Sequence, residues 1–169
     1  MRGLVDGAAG DAAAQQGYRG PQVCKIVGIT YRQLDYWART NLIRPSIADA
    51  RGSGSQRRYS YRDLVDLKVI KSLLDAGVSL QSARRAIEYL RDNLGADIAS
   101  ASLVLNGADS VLVARDSGEL VDLVRRGQGV FSIMPLDGVK AALDAAITEL
   151  RPAAVNGAKP VRPAAGGTG

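Results

Sequence analysis

Between Gln22 and Tyr61 two short amphipathic patterns meet at Gly28 and run into a Gly/Ser-rich loop flanked by arginines, and this arrangement limits the chain more than any other feature. Gly28 permits a tight bend between the two helices. The second pattern begins Thr30-Tyr31-Arg32-Gln33. The Thr30 hydroxyl is placed to accept from the amide of the third helical residue, and Gln33 to reach back to the amide of Thr30, which fixes a helix start there. Ile29, Leu34, Trp37, Ala38 and Leu42 recur at steps of three and four, so Tyr31, Arg32, Asp35, Tyr36 and Arg39 face outward. Upstream, Pro21 suits a first turn, Val23, Ile26 and Val27 share a face, and Gly28 closes the helix.

The outward set is rich in donors. Arginine lies bidentate on guanine edges or clamps phosphate, and tyrosine hydroxyls hold the sugar-phosphate rail, so this face suits a DNA major groove. Taken alone, a solvated basic helix face explains it equally well. The neighbouring segment tips the balance. Ser46 and Ile47 on one side and Arg58, Tyr59 and Ser60 on the other read as short strands around Arg51-Gly52-Ser53-Gly54-Ser55-Gln56-Arg57, a candidate wing. Its glycines let the backbone approach phosphate, its serines offer hydroxyls, and Arg51, Arg57 and Arg58 displace counterions. A flexible Gly/Ser linker is the competing reading, but a linker has no need of three arginines beside Tyr59. The candidate DNA-binding residues are therefore Thr30, Tyr31, Arg32, Gln33, Tyr36 and Arg39 on the helix, with Arg51, Ser53, Ser55, Arg57, Arg58 and Tyr59 in the wing.

These residues resemble the MerR family of bacterial transcription regulators, and the resemblance is nearest to actinobacterial members without metal-ligand cysteines. Gln22 to Thr30 is similar to the family's first helix and turn, and Leu34-Asp35-Tyr36-Trp37 stands where its Leu-Arg-Tyr-Tyr signature falls. Asn41-Leu42-Ile43-Arg44-Pro45 resembles the usual exit, Gln56-Arg57-Arg58-Tyr59 the basic wing strand, and Ser60 to Leu94 the two following helices. The resemblance implies a winged helix-turn-helix that acts as a homodimer on inverted repeats in promoter DNA, bending and untwisting the spacer, with RNA polymerase as a candidate partner. Two residues depart from the pattern. Asp35 replaces a basic residue and either accepts from a cytosine amino group or, the favoured reading, pairs with Arg39 one turn on; Trp37 replaces a tyrosine and falls on the core face. Family members also follow the reader with a long dimer helix, whereas here Gly95 and a hairpin pattern intervene.

Charge agrees with this reading. Tyr18 to Asp92 holds fourteen Lys/Arg against seven Asp/Glu, while Asn93 to Gly169 holds seven against eight, so the chain's net charge of +5 is concentrated in one region. That asymmetry points to a polyanionic partner, double-stranded DNA, for the first half. No apolar run approaches spanning length and no signal core is visible, so no membrane partner is expected and the cytoplasm, at the nucleoid, is the expected location. One cysteine and no histidine exclude an internal disulfide and a thiolate metal site, and no acid, base and nucleophile are grouped; no metal, cofactor or enzymatic activity is expected. Cys24 reads as a packed apolar side chain.

The expected fold is mainly α, of α+β class, with four parts. Residues 1–17 form an Ala/Gly-rich segment expected to be disordered, 18–94 the winged helix-turn-helix, 95–150 a small α+β dimerisation or effector module, and 151–169 a disordered Pro/Ala/Gly tail. Ser60 caps a helix with Leu64, Leu67, Ile70 and Leu74 inward, ended by Gly77. Ser79 opens the next, with Ala83, Ala86, Ile87, Leu90 and Leu94 inward and Arg84, Arg85 and Arg91 out as ordinary solvated charge. Leu103 to Val113 reads as a hairpin turning at Asn106-Gly107, followed by a helix from Gly118 to Arg126, a break at Gly127 to Gly129, a strand at Val130 to Met134 and a last helix from Leu136 to Leu150. That helix's stripe, Leu136, Val139, Leu143, Ala146 and Leu150, fits a dimer seam and an intramolecular core equally well. The lone Phe131 of this half is too few rings for a cationic-drug cage, so the effector is unknown. The function expected is sequence-specific transcription regulation; the alternatives are an excisionase-like DNA-bending module and an adaptor for RNA polymerase or a sigma factor.

Overall fold

The computed structural model describes residues 17–48, 57–119 and 131–150. Strand β1 (Tyr18–Arg19) leads into α1 (Gly20–Val27), which ends where Gly28 takes a left-handed φ of 82° and its amide donates to the Cys24 carbonyl. A residue with a Cβ pays for that conformation, which is why the bend falls on glycine. Helix α2 (Tyr31–Arg39) follows after three residues. Strand β2 (Arg58–Tyr59) then precedes α3 (Tyr61–Asp75) and α4 (Leu80–Asn93), whose N-caps are Ser60 and Ser79 as expected. A 3-10 turn (Gly95–Ser100) leads to β3 (Ser102–Asn106), β4 (Ser110–Ala114), β5 (Ser132–Pro135) and α5 (Leu136–Leu150).

Two small antiparallel sheets result. In the first, Tyr18 pairs with Tyr59 and Arg19 with Arg58, and among the described residues the wing's own pairing is one bridge between Ala48 and Arg58. The strand expected at Ser46 and Ile47 is thus shorter and one residue later, and β1 was not foreseen. Gly17, just before β1, lies close against the wing base. Its φ is 72°, and a Cβ there would come within 2.7 Å of Ile47 Cδ1 and 2.9 Å of the Tyr59 carbonyl oxygen. The second sheet has the order β4-β3-β5, with Val104 opposite Leu112 on one side and Ile133 on the other. The hairpin closes through Asn106 and Ser110, so its loop is Gly107-Ala108-Asp109 rather than a two-residue turn.

Helix α3 lies at the centre. Leu64, Val65, Leu67, Val69, Ile70 and Leu73 are all buried, so apolar side chains leave it in several directions and it packs against α4, α5, α1 and β2. Leu73 takes the interior place expected of Leu74, which is half-buried, because neighbours on both flanks widen the apolar stripe. The last helix docks within the chain: Leu136 and Leu143 are buried, and α5 packs on α3, the 3-10 turn and α1, with Tyr61 of α3 donating to the Asp144 carboxylate. Leu150, expected inward, is exposed at the helix end. One continuous core runs from Tyr18 to Leu143.

Residues 1–16, the wing loop 49–56, most of the helix expected at 118–126, the Gly127 to Gly129 break with Val130, and the tail from Arg151 lie outside the described residues. Among the described residues no helix is long and apolar enough to cross a membrane.

Candidate nucleic-acid interface

The local sequence builds α2 as expected. Thr30 Oγ1 accepts from the Gln33 amide at 3.1 Å, and Gln33 Oε1 accepts from the Thr30 amide at 3.0 Å. Such a reciprocal cap is worth roughly 1 kcal/mol. Leu34 and Trp37 are buried, and Ala38 is half-buried. On the opposite side Tyr31 is 62% and Tyr36 49% exposed, and Arg32 and Arg39 are exposed with them. Four large donors therefore stand on one side of a nine-residue helix, in the pattern expected.

Asp35 organises the middle of that face. It accepts from Arg39 Nε at 2.9 Å, the i to i+4 pair favoured from sequence, and also from Arg57 Nη1 at 2.7 Å, which was not foreseen. The hydrogen bond from Arg57 is the main reason the Asp35 carboxyl is held below the usual carboxylate range, with the charges of Arg39 and Arg57 adding to it. In return, Asp35 pushes the Arg57 guanidinium further toward its charged form. The carboxylate thus fastens the residue before β2 onto α2 and draws two guanidiniums together.

Several candidate residues change role. Tyr59, expected to touch DNA, is wholly buried: β1 covers it, and it packs in the core beside α3. Arg57 is only 19% exposed and engaged with Asp35, which makes it a tie between wing and helix. Arg58 is half-buried in β2. Thr30 and Gln33 are exposed, but Thr30 Oγ1 and Gln33 Oε1 serve the cap. Arg51, Ser53 and Ser55 lie outside the described residues.

The three arginines of α4 are not simple solvated charge. Arg84 Nη1 donates to the Thr40 carbonyl at 3.0 Å, at the end of α2 where a helix presents unsatisfied oxygens. Arg85 donates to Ser82 Oγ. Arg91 Nε and Arg62 Nε meet the two oxygens of the buried Asp66 at 2.9 and 3.3 Å. Burial nevertheless pushes the Asp66 carboxyl upward against both guanidiniums. Asp63 accepts from the Ser46 amide and hydroxyl and from the Ser60 amide, tying the wing base to the start of α3. None of these ties spans fewer than three residues, and those reaching Thr40 or Asp35 from afar have no periodic signature in sequence.

Cys24 is half-buried against the core and its thiol is pushed up by burial, so it is held as a neutral thiol. Among the described residues no three His, Cys, Asp or Glu side chains gather in a way that would hold a metal ion.

The model of the MerR HTH family regulatory proteins matches residues 18–105. An uncharacterised HTH-type transcriptional regulator of Mycobacterium bovis and one of Mycobacterium tuberculosis are each 53% identical over 117 residues, which is 69% of this chain and 52% of theirs. The chain spans about half the length of these curated relatives.

Proposed function

The chain belongs to the MerR family of HTH regulatory proteins, and from that premise we propose that it is a DNA-binding transcription regulator, dimeric on inverted-repeat promoter DNA. The observation that carries this reading is the exposed row of Tyr31, Arg32, Tyr36 and Arg39 along a firmly capped helix, beside Arg57 held by Asp35. Helix α2 enters the major groove, where Arg32 reads base edges and the tyrosines hold the backbone. The loop at 51–56 supplies further backbone contacts next to it. Its site of action is the nucleoid in the cytoplasm, with RNA polymerase as the neighbouring protein at the promoter.

The surplus of cationic residues between Tyr18 and Asp92 favours DNA over a protein-only adaptor role, and the core shared with residues 95–150 disfavours a free-standing excisionase-like bender. Fragments selected from genomic DNA by the purified protein supply the operator. On that operator, Arg32→Ala should cost about 1–3 kcal/mol of discrimination against competitor DNA in an electrophoretic titration. Unchanged discrimination would remove Arg32 from the reading role. Binding whose affinity ignores salt would remove DNA as the partner.

A further inference from the structure

Strand β4 lies at the side of its sheet: among the described residues it pairs with β3 alone, and β5 is on the far side of β3. Proteins usually protect such an edge with charge, proline or a bulge. Here the strand reads Ser110-Val111-Leu112-Val113-Ala114, with none of these, and Leu112 is 42% exposed. Along the edge runs a groove of about 470 Å³, walled by Ser82, Arg85, Ala86 and Tyr89 of α4 and by the chain from Asp109 to Val113. The apolar stripe of α5, by contrast, is turned inward, with Leu136 and Leu143 buried within its own chain.

We propose that β4 of a second copy fills this groove, antiparallel and centred on Leu112, to join the two sheets around a two-fold axis. The argument lies in the charges. Asp109 and Arg115 flank the strand at equal distances from Leu112, with no charge between them. Antiparallel pairing on that centre sets Asp109 opposite the partner's Arg115 twice over, Ser110 opposite Ala114 and Val111 opposite Val113. Parallel pairing would set like charges opposite each other, and moving the centre by one residue would lose both ion pairs. Directly opposed residues share a face, so the incoming valines enter the groove over Ala86 and Tyr89. The Arg115 guanidinium is held at the end of the groove by Tyr89, 3.0 Å from its hydroxyl. A patch that is its own complement in this way is what a two-fold contact requires.

This proposal rests on the dimeric part of the reading above and is tested apart from DNA, by sedimentation of the full chain over a concentration series. Asp109→Arg and Arg115→Asp alone should each weaken self-association about tenfold, since each places like charges opposite at two positions. The double variant D109R/R115D should recover it. In a Cys24→Ser background, Leu112→Cys should form a covalent dimer on oxidation, while the off-axis Ser110→Cys should not, a result independent of the charge variants' folding. A chain that stays monomeric, single reversals without effect, loss without recovery in the double variant, or no Leu112→Cys cross-link would each overturn the seam. A dimer indifferent to the reversals would leave the DNA reading standing with its seam elsewhere. A charge-sensitive dimer that fails to bind the selected operator would leave the seam and remove the DNA reading.

Discussion

Helices α2 and α3, on either side of the wing, treat polar side chains in opposite ways. Helix α2 has one apolar face and leaves Tyr31, Arg32, Tyr36 and Arg39 in solvent. Helix α3 is packed on several sides, and its carboxylates Asp63 and Asp66 are buried with their oxygens engaged by Ser46, Ser60, Arg62 and Arg91. A polar group inside must be satisfied by its own protein, whereas donors outside remain available to a ligand. The location of exposed hydrogen-bonding groups therefore separates the proposed reader, α2, from its support, α3.

Replacing Leu67 of α3 with Ala tests the contrast most severely. Its side chain is fully buried, so about 2–5 kcal/mol of stability should be lost in denaturant unfolding, whereas Arg32→Ala should stay within about 0.5 kcal/mol of the parent. Equal effects would erase the distinction between the two helices. Asp63→Ala removes the side chain that meets Ser46 and Ser60, and a loss of about 1–3 kcal/mol should appear in the same measurement. Tyr61→Phe deletes only the hydroxyl joining α3 to α5 and should cost about 1 kcal/mol; no change would mean that apolar packing alone holds the last helix.

The smallest effect concerns Asp35. Its folded pKa lies below the unfolded value, so the stability it contributes is present above the ordinary carboxylate range and lost as pH falls through the depressed folded value. Carbon-13 titration of its carboxyl should show a midpoint below that of a free aspartate, and in Arg57→Ala the midpoint should move up. A midpoint indifferent to Arg57 would dissolve the tie between wing and helix.

Local features were legible in the sequence. Thr30, Ser60 and Ser79 announced helix starts because a cap is written within four residues, and the stripes of α2 and α4 followed from periodicity. Residues joined over long separations were not. The burial of Tyr59 depends on Tyr18, the second partner of Asp35 comes from Arg57 across the wing, and the docking of α5 depends on α1 and α3. A tyrosine next to two arginines looks like a backbone contact until a distant strand covers it. The same limit applied to Arg84, whose outward position on the helical wheel gave no hint of the Thr40 carbonyl.

That last contact sets a mechanical relation. Within the six residues from Ser79 to Arg84, α4 is fastened to the hairpin loop through the Ser79 amide on Ala108 and the Ser82 hydroxyl on Asp109, and to the end of α2 through Arg84. Little more than one helical turn separates these anchors. The hairpin loop and the C-terminal end of α2 are thus held by the same short stretch of α4.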